Sequence, residues 1–259
     1  MRSGSAKNTT STVRHHQLPA NTRGRDLVVG DLHGCRAVLE RALDALGFDP
    51  ASDRVLSVGD LIDRGPESPD CLALLEAPWF HAVMGNHEDM MVRRLAGEPD
   101  VAALHLQNGG EWLQGGDQLE ENPRLAANAE AAASLPHLIT VASDDGERYH
   151  VVHAELPAGN TTVVTDAELE AGIDMDPSHL IWTRELMLGN DGDLPEHYPG
   201  LSTTYCGHTP QPQVRRRRSH VCLDTGAVFA YLTGDGTAGA LTIVERQNGR
   251  ETGLHRFAP

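Results

Sequence analysis

From Asp26 onward the chain alternates short apolar runs with stretches of helical periodicity, and the apolar runs end in glycine-bounded polar loops. Leu27-Val28-Val29 runs into Gly30-Asp31. Between Cys35 and Leu46 the residues Val38, Leu39, Ala42, Leu43 and Leu46 recur at i, i+3 and i+4, the signature of one helix face, and Gly47 ends that helix. Val55 to Val58 predicts a second buried strand, running into Gly59-Asp60, and a second helix follows over about Ser68 to Glu76. Phe80 to Met84 predicts a third strand, which runs into Gly85-Asn86-His87-Glu88 at the start of a third helix. Strands that alternate with helices predict right-handed βαβ units and a largely parallel sheet. The three polar loops then lie at the carboxyl ends of consecutive strands, where open α/β sheets form their ligand crevice.

Pro99 to Leu135 is Ala-rich and broadly helical, interrupted at Asn108-Gly109-Gly110 and Gly115-Gly116. Leu138 to Val141 and Tyr149 to His153 flank Asp144-Asp145-Gly146, a turn signal that predicts a hairpin. Asp166 to Ala171 and Ser178 to Leu188 read as helices, the latter started by Asp176 and Pro177. Thr203 to Cys206, Val221 to Leu223 and Ala240 to Glu245 read as further strands. No internal repeat interrupts the pattern, and no linker follows residue 25.

Residues 1–25 carry no apolar period and are rich in Ser, Thr, Asn and basic residues; they read as a disordered tail, leaving 26–259 as one domain. A domain of this size buries roughly 70–75% of its unfolded surface and needs no disulfide staple. Cys35, Cys71, Cys206 and Cys222 are scattered without CxxC spacing, which fits free thiols in a reducing cytoplasm. Cys35 and Cys206 stand beside polar motifs but read as small buried fillers. The formal net charge of -16 argues against a general nucleic-acid or membrane-surface binder. No segment approaches the ~18–20 apolar residues of a membrane span. Arg2, Lys7 and Arg14 precede no apolar run before Leu27, so a secretory signal is not expected and the expected location is cytoplasmic.

The candidate chemistry lies in the loops. In Gly30-Asp31-Leu32-His33-Gly34, residues two apart in an extended loop can turn the same way and chelate one ion. Gly59-Asp60-Leu61-Ile62-Asp63-Arg64-Gly65 sets two carboxylates and an arginine in a glycine-bounded loop, and Gly85-Asn86-His87-Glu88 repeats the arrangement at the third strand end. Singly these read equally as a polar loop, an internal ion pair and a helix cap.

Together, in this order and spacing, they resemble the calcineurin-like metallophosphoesterases, and specifically the PPP family of serine/threonine protein phosphatases, marked by GDxHG, GDxxDRG and GNHE followed by two downstream histidines. His153 in Val151-Val152-His153-Ala154 and His208 in Gly207-His208-Thr209 stand where those histidines are expected. Asn108-Gly109-Gly110, Ile181-Trp182-Thr183-Arg184-Glu185 and Asp224-Thr225-Gly226-Ala227-Val228-Phe229 bring the chain nearest to the bacteriophage lambda and small bacterial type. The resemblance extends from about Leu27 to Val244. It implies an α/β metallophosphoesterase fold, a central β-sandwich of two mixed sheets with βαβ units and flanking helices.

The resemblance also implies roles. Asp31 and His33 would hold a first metal ion, Asn86, His153 and His208 a second, with Asp60 bridging both. Carboxylate, imidazole and amide ligands without thiolate suit Mn²⁺, Fe or Zn²⁺, and the family usually works with Mn²⁺. Two ions about 3.5–4 Å apart can share a water, lower its pKa and clamp phosphoryl oxygens, so that hydroxide attacks phosphorus directly. His87 would be the general acid for the departing alkoxide, Asp63 would fix its tautomer, and Arg64 and Arg184 would grip the non-bridging oxygens. The activity implied is hydrolysis of phosphoserine, phosphothreonine and phosphotyrosine in phosphoproteins or phosphopeptides, with no regulatory subunit evident. The alternative within the superfamily is a symmetrical diadenosine tetraphosphate hydrolase, or another phosphodiesterase or nuclease. The tetraphosphate subgroup tends to lack the aspartate present here as Asp63.

The chain departs from the family pattern at Met84, where relatives commonly have arginine, and at Glu155, where many have glycine. The Arg215 to Arg218 run reads as a solvated hairpin; a docking patch for acidic phosphopeptides is the competing reading. His15 and His16, in the tail, are weak metal-ligand candidates without fixed geometry, and His81, His105, His137, His150, His179, His197, His220 and His255 have no motif context and read as surface or packing residues.

Overall fold

The computed structural model describes residues 12–113, 117–142, 147–157, 164–172, 174–189 and 195–259. Its first half is the expected βαβ series: β2 (Asp26–Val29), α1 (Arg36–Ala45), β3 (Arg54–Ser57), α2 (Ser68–Leu72), β4 (Phe80–Ala82) and α3 (Asn86–Leu95). Strands β2, β3 and β4 pair in parallel, Val28 opposite Leu56 and Leu56 opposite His81. Helices α4 (Pro99–Gln107), α5 (Asp117–Glu121) and α6 (Pro123–Ala133) follow. Then come β5 (Leu138–Ala142), β6 (Arg148–Val152), α7 (Asp166–Glu170), α8 (Pro177–Trp182), α9 (Glu185–Leu188) and β7 (Thr203–Cys206). The chain continues through β8 (Arg215–Arg217), β9 (His220–Cys222), β10 (Asp224–Thr225), α10 (Phe229–Thr233), β11 (Ala240–Gln247) and β12 (Arg250–Phe257).

Two mixed sheets result. One opens with β1 (His15–Pro19) and has the order β1-β5-β6-β7-β9-β8, the other β10-β11-β2-β3-β4 with β12 added on β11. Period-two alternation explains how they stack. Val28, Leu56 and Val244 from one sheet meet Ile139, Val151, Tyr205 and Val221 from the other in a shared apolar layer. Their sequence neighbours Leu27, Val29, Val55 and Ile243 point the opposite way, into the larger core that also holds Val38, Leu39, Ala42 and Leu43 of α1. Each leucine or isoleucine fully buried in these layers contributes about 1.5–3 kcal/mol. The carboxyl ends of β2, β3 and β4 and those of β6 and β7 thereby come to the same edge of the sandwich, which positions the site.

The expected helices and strands of the second half are present, with one difference. The helix expected over Ser178 to Leu188 is two, α8 and α9, parted at Thr183-Arg184. The expected β5–β6 hairpin is antiparallel, with Leu138 opposite Val152; its turn lies outside the described residues.

The tail expected over residues 1–25 does not extend that far. His15–Pro19 is β1, parallel to β5, with His15 opposite Leu138. Arg14 fixes its start: its Nε donates to Leu135 O at 2.7 Å, and its carbonyl accepts from His137 N at 2.8 Å. An edge strand buries little, so HHQLP carries no apolar alternation to read. Residues 1–11 lie outside the described residues.

The arginine run forms the β8–β9 hairpin, turned by Arg218 and Ser219 at φ 45° and 65°. Arg215 donates to Met187 O, Arg216 pairs with Glu251 at 2.6 Å, and Arg217 donates to Leu186 O at 2.9 Å. Three of the four guanidiniums therefore tie the chain around α9 and β12, against the docking-patch reading. All four cysteines are free and buried. Among the described residues no helix is long and apolar enough to cross a membrane.

Candidate metal centre

Backbone geometry at the strand ends is unusual. His33, Asp60, Asp63, Arg64 and His208 adopt φ of 42°, 48°, 74°, 71° and 66°, the left-handed region that costs a non-glycine residue on the order of 1–3 kcal/mol. The loops are interlocked to hold it. Leu32 N and His33 N both donate to Asp60 O, at 3.0 and 2.8 Å. Glu88, in the first turn of α3, accepts from Asp60 N, Leu61 N and Gly85 N at 2.9, 2.8 and 3.0 Å. Burial, with Asp60 nearby, pushes the Glu88 carboxyl up to about 8. Gly207 has no room for a side chain, because a Cβ there would lie 1.8 Å from Asp31 Oδ1.

Asp60 is the hub. Its Oδ2 lies 3.5 Å from His33 Nε2 and 3.8 Å from His87 Nε2, and its Oδ1 lies 3.3 Å from His153 Nε2. Burial works against its charge, yet His153, His87, His33 and His208 hold the carboxyl below the ordinary range. Asp31, which accepts from His208 N at 3.0 Å, is pushed the other way by burial and by the neighbouring Asp224 and Asp60. Burial holds His33 and His208 down to about 3. The pocket thus gathers buried carboxylates among imidazoles kept neutral.

The ring nitrogens show how the pocket is polarised. His33 Nδ1 bonds Ile62 O at 3.0 Å, His153 Nδ1 bonds Val58 O at 2.8 Å, and His208 Nε2 bonds Trp182 O at 3.1 Å. A carbonyl only accepts, so each of these nitrogens carries the proton and the other ring nitrogen presents a lone pair. Those lone pairs converge. His153 Nε2 lies 2.9 Å from Asn86 Oδ1 and 3.2 Å from His208 Nδ1, while His208 Nδ1 is 2.8 Å from Asn86 Oδ1. With Asn86 turned to present its oxygen, three acceptors face one another with no proton between them, a donor set that fits a cation.

Among the described residues there are two groups whose candidate ligand atoms lie within 4.8 Å of one another inside each group: His33, Asp60 and His87, and Asp60, His153 and His208. Asp60 belongs to both. The fold brings His33, Asp60, Asn86, His153 and His208 together, whereas Asp31 sits at the edge of the cluster on His208 N and His87 stands within it. Arg64 Nη1 donates to His33 Nε2 at 2.8 Å, on the lone pair that an ion would use. Arg184, the residue before α9, is half-buried and near enough to His153 and His208 to disfavour their protonation.

His87 differs from the other rings. Its Nδ1 lies 2.7 Å from Asp63 Oδ2, a carboxylate rather than a carbonyl, and its buried Nε2 has no hydrogen-bond partner among the described residues.

Sequence reasoning missed several residues that shape the site. Glu155 is buried and accepts from Leu186 N and Met187 N at 2.8 Å each, capping α9 next to Arg184. Asp224, pushed up to about 6 by burial, accepts from Gly226 N at 3.0 Å. His105, read as packing, donates to Asp63. The departure at Glu155 and the motifs Asn108-Gly109-Gly110 and Asp224-Thr225-Gly226 were the signals for them.

A family model described as calcineurin-like phosphoesterase matches residues 25–229, and the chain belongs to that family. The family uses a dinuclear metal centre, for which this chain has candidate ligands. Serine/threonine-protein phosphatase 1 of Salmonella typhimurium is 37% identical over 210 residues, 78% of this chain and 86% of that protein. The symmetrical bis(5'-nucleosyl)-tetraphosphatase of Pseudomonas fluorescens is 33% identical over 168 residues, 63% of this chain and 55% of that protein. Among solved structures, a protein serine/threonine phosphatase from Saccharomyces cerevisiae shares the fold with a TM-score of 0.58 at 16% identity, covering 96% of this chain and 84% of that one.

Proposed function

We propose that the protein is a dinuclear-metal-dependent phosphoprotein phosphatase that hydrolyses phosphoserine and phosphothreonine, and phosphotyrosine as well. The observation that carries this reading is the contrast in what backs each imidazole. His33, His153 and His208 are backed by carbonyls, which leaves them neutral lone-pair donors, whereas His87 is backed by the Asp63 carboxylate. The Asp63 carboxylate fixes the His87 ring with Nδ1–H toward it and Nε2 turned into the site, the arrangement a proton donor to the leaving group needs.

Asp31, His33 and Asp60 would hold one divalent ion and Asp60, Asn86, His153 and His208 the other. When bound, the pair supplies water activation at neutral pH and neutralises phosphoryl charge. The ligand set is oxygen and nitrogen, while the Cys222 thiol turns to Gly207 O and Thr209 O; this suits Mn²⁺, with Fe or Zn²⁺ as alternatives. Arg64 and Arg184 bind the non-bridging phosphoryl oxygens as planar, permanently charged forks. His87 gives its Nε2 proton to the departing seryl or threonyl oxygen, while Asp63 keeps Nδ1–H in place.

The same pair weighs against the tetraphosphatase alternative. A nucleotide phosphate departs as a stable anion and needs no proton, whereas an alkoxide does. The test is a Mn²⁺-supplemented screen of phosphoserine, phosphothreonine and phosphotyrosine peptides beside diadenosine tetraphosphate and a phosphodiester. The phosphopeptides should give the highest kcat/KM. A preference for diadenosine tetraphosphate would overturn the reading.

A further inference from the structure

Helix α4 breaks the usual rule for an amphipathic helix. It exposes Leu104 and Leu106 at 40% and 42%, and buries His105 completely between them in sequence. An imidazole out of water costs stability unless both ring nitrogens are satisfied, so a leucine at 105 would be the simpler core residue. Local rules are broken in this way where a site requires it.

Both nitrogens of His105 are directed. Arg94 Nη1 donates to Nδ1 at 3.2 Å, so Nδ1 is the acceptor and Nε2 carries the hydrogen. Nε2 lies 3.0 Å from Asp63 Oδ2 and 3.1 Å from Oδ1. Trp112 Nε1 donates to Asp63 Oδ1 at 2.6 Å. The wholly buried Asp63 carboxylate therefore accepts from His87, His105 and Trp112, on three different elements. The connecting loop is shaped to the ring: a Cβ on Gly110 would lie 2.6 Å from three of its atoms, and one on Gly109 would lie 2.7 Å from Arg64 N. Arg94 also donates to Gly110 O at 2.9 Å and Leu113 O at 2.6 Å, closing the loop over Asp63.

We propose that His105, assisted by Trp112, is a positioning residue for the acid step: it fixes the Asp63 carboxylate in the orientation that aims His87 Nε2 into the site. The inference rests on the reading of His87 as the general acid. A carboxylate held only by His87 can rotate about its own axis and carry the imidazole with it. Two further donors stop that rotation. They also offset the cost of burying the charge, consistent with an Asp63 carboxyl that lies below its ordinary range although burial pushes it up.

The test compares wild type, His105→Leu, His105→Gln and His87→Asn on a phosphoserine peptide and on p-nitrophenyl phosphate, whose leaving group needs no proton. His105→Leu should lose about tenfold or more in kcat on the peptide, the scale of one hydrogen bond to a charged group. It should lose less than about threefold on the aryl ester, with KM unchanged for both. His105→Gln, which keeps one acceptor and one donor, should recover most of the peptide rate. Should His105→Leu fail to fold, Trp112→Phe removes a single N–H from the same carboxylate and should show the same selective loss. Equal losses on both substrates, an unchanged peptide rate, or no recovery with Gln would overturn the proposal. Selective loss in His87→Asn without it in His105→Leu overturns the positioning role alone; no selectivity in His87→Asn overturns the acid reading together with it.

Discussion

His87 Nδ1 and Asp63 Oδ2 lie 2.7 Å apart, both side chains buried, across 24 residues of sequence. The first comes from the opening turn of α3 and the second from a left-handed position in the loop after β3. The pair gives the site a direction, with His87 Nε2 3.8 Å from Asp60 Oδ2. Replacing His87 with Asn should therefore reduce kcat on phosphoserine peptides by about 10²–10⁴-fold, the usual contribution of a general acid. Aryl phosphates should lose far less. Steady-state kinetics on the two substrates checks this, and equal losses would contradict it.

Gly207→Ala should be severe despite its small size. The added methyl would fall 1.8 Å from Asp31 Oδ1 and 2.7 Å from Val58 Cγ2, so the chain next to His208 must shift. Overpacking of this kind costs about 1–3 kcal/mol, and the shift should also remove a ligand from the metal centre. Urea unfolding and metal titration would both register it.

Glu155→Ala should act through Arg184. The carboxylate caps the first amides of α9, and its removal leaves Leu186 N and Met187 N without their acceptor. A loss of about 1–2 kcal/mol in stability is expected for such a cap. Because Arg184 immediately precedes α9, KM for phosphopeptides should rise more than kcat falls.

Stability should fall on mild acidification. Burial, with Arg14 beside His137, holds His137 down to about 4, and burial does the same to His220. Unfolded histidines take up protons as pH drops through ~6.5, whereas these two resist until about 4. The unfolded state then binds more protons, so the contribution is fully present above ~6.5 and is lost as pH falls through about 4. Each group adds a slope of about 1.4 kcal/mol per pH unit. His220→Gln, which can still accept from Leu156 N, should flatten the metal-free profile by one group's share; an unchanged profile would count against this.

Much of the site was legible because its chemistry is local. Asp31 with His33, Asp60 with Asp63 and Arg64, and Asn86 with His87 each sit in one glycine-bounded loop after an apolar run, and both features can be read along the chain. What could not be read was made by distant pairing. Glu155 looked like a departure from a motif, since the amides it caps lie 31 and 32 residues away. His105 reaches Asp63 across 42 residues from a helix whose neighbouring positions are leucines. Strand β1 escaped notice because its stability comes from backbone pairing with β5, and β12 because RETGLHRF is mostly polar on a sheet edge. Gly110 had a visible motif, but only the approach of the His105 ring explains it.

In the proposed centre Asp60 joins two metal ions in one site. Metal content per chain, measured by mass spectrometry on wild type and Asp60→Asn purified with Mn²⁺, tests it most directly. The prediction is two ions in wild type and at most one in the variant, with phosphopeptide turnover abolished. Two ions retained in Asp60→Asn, or a single ion in a fully active wild type, would contradict it.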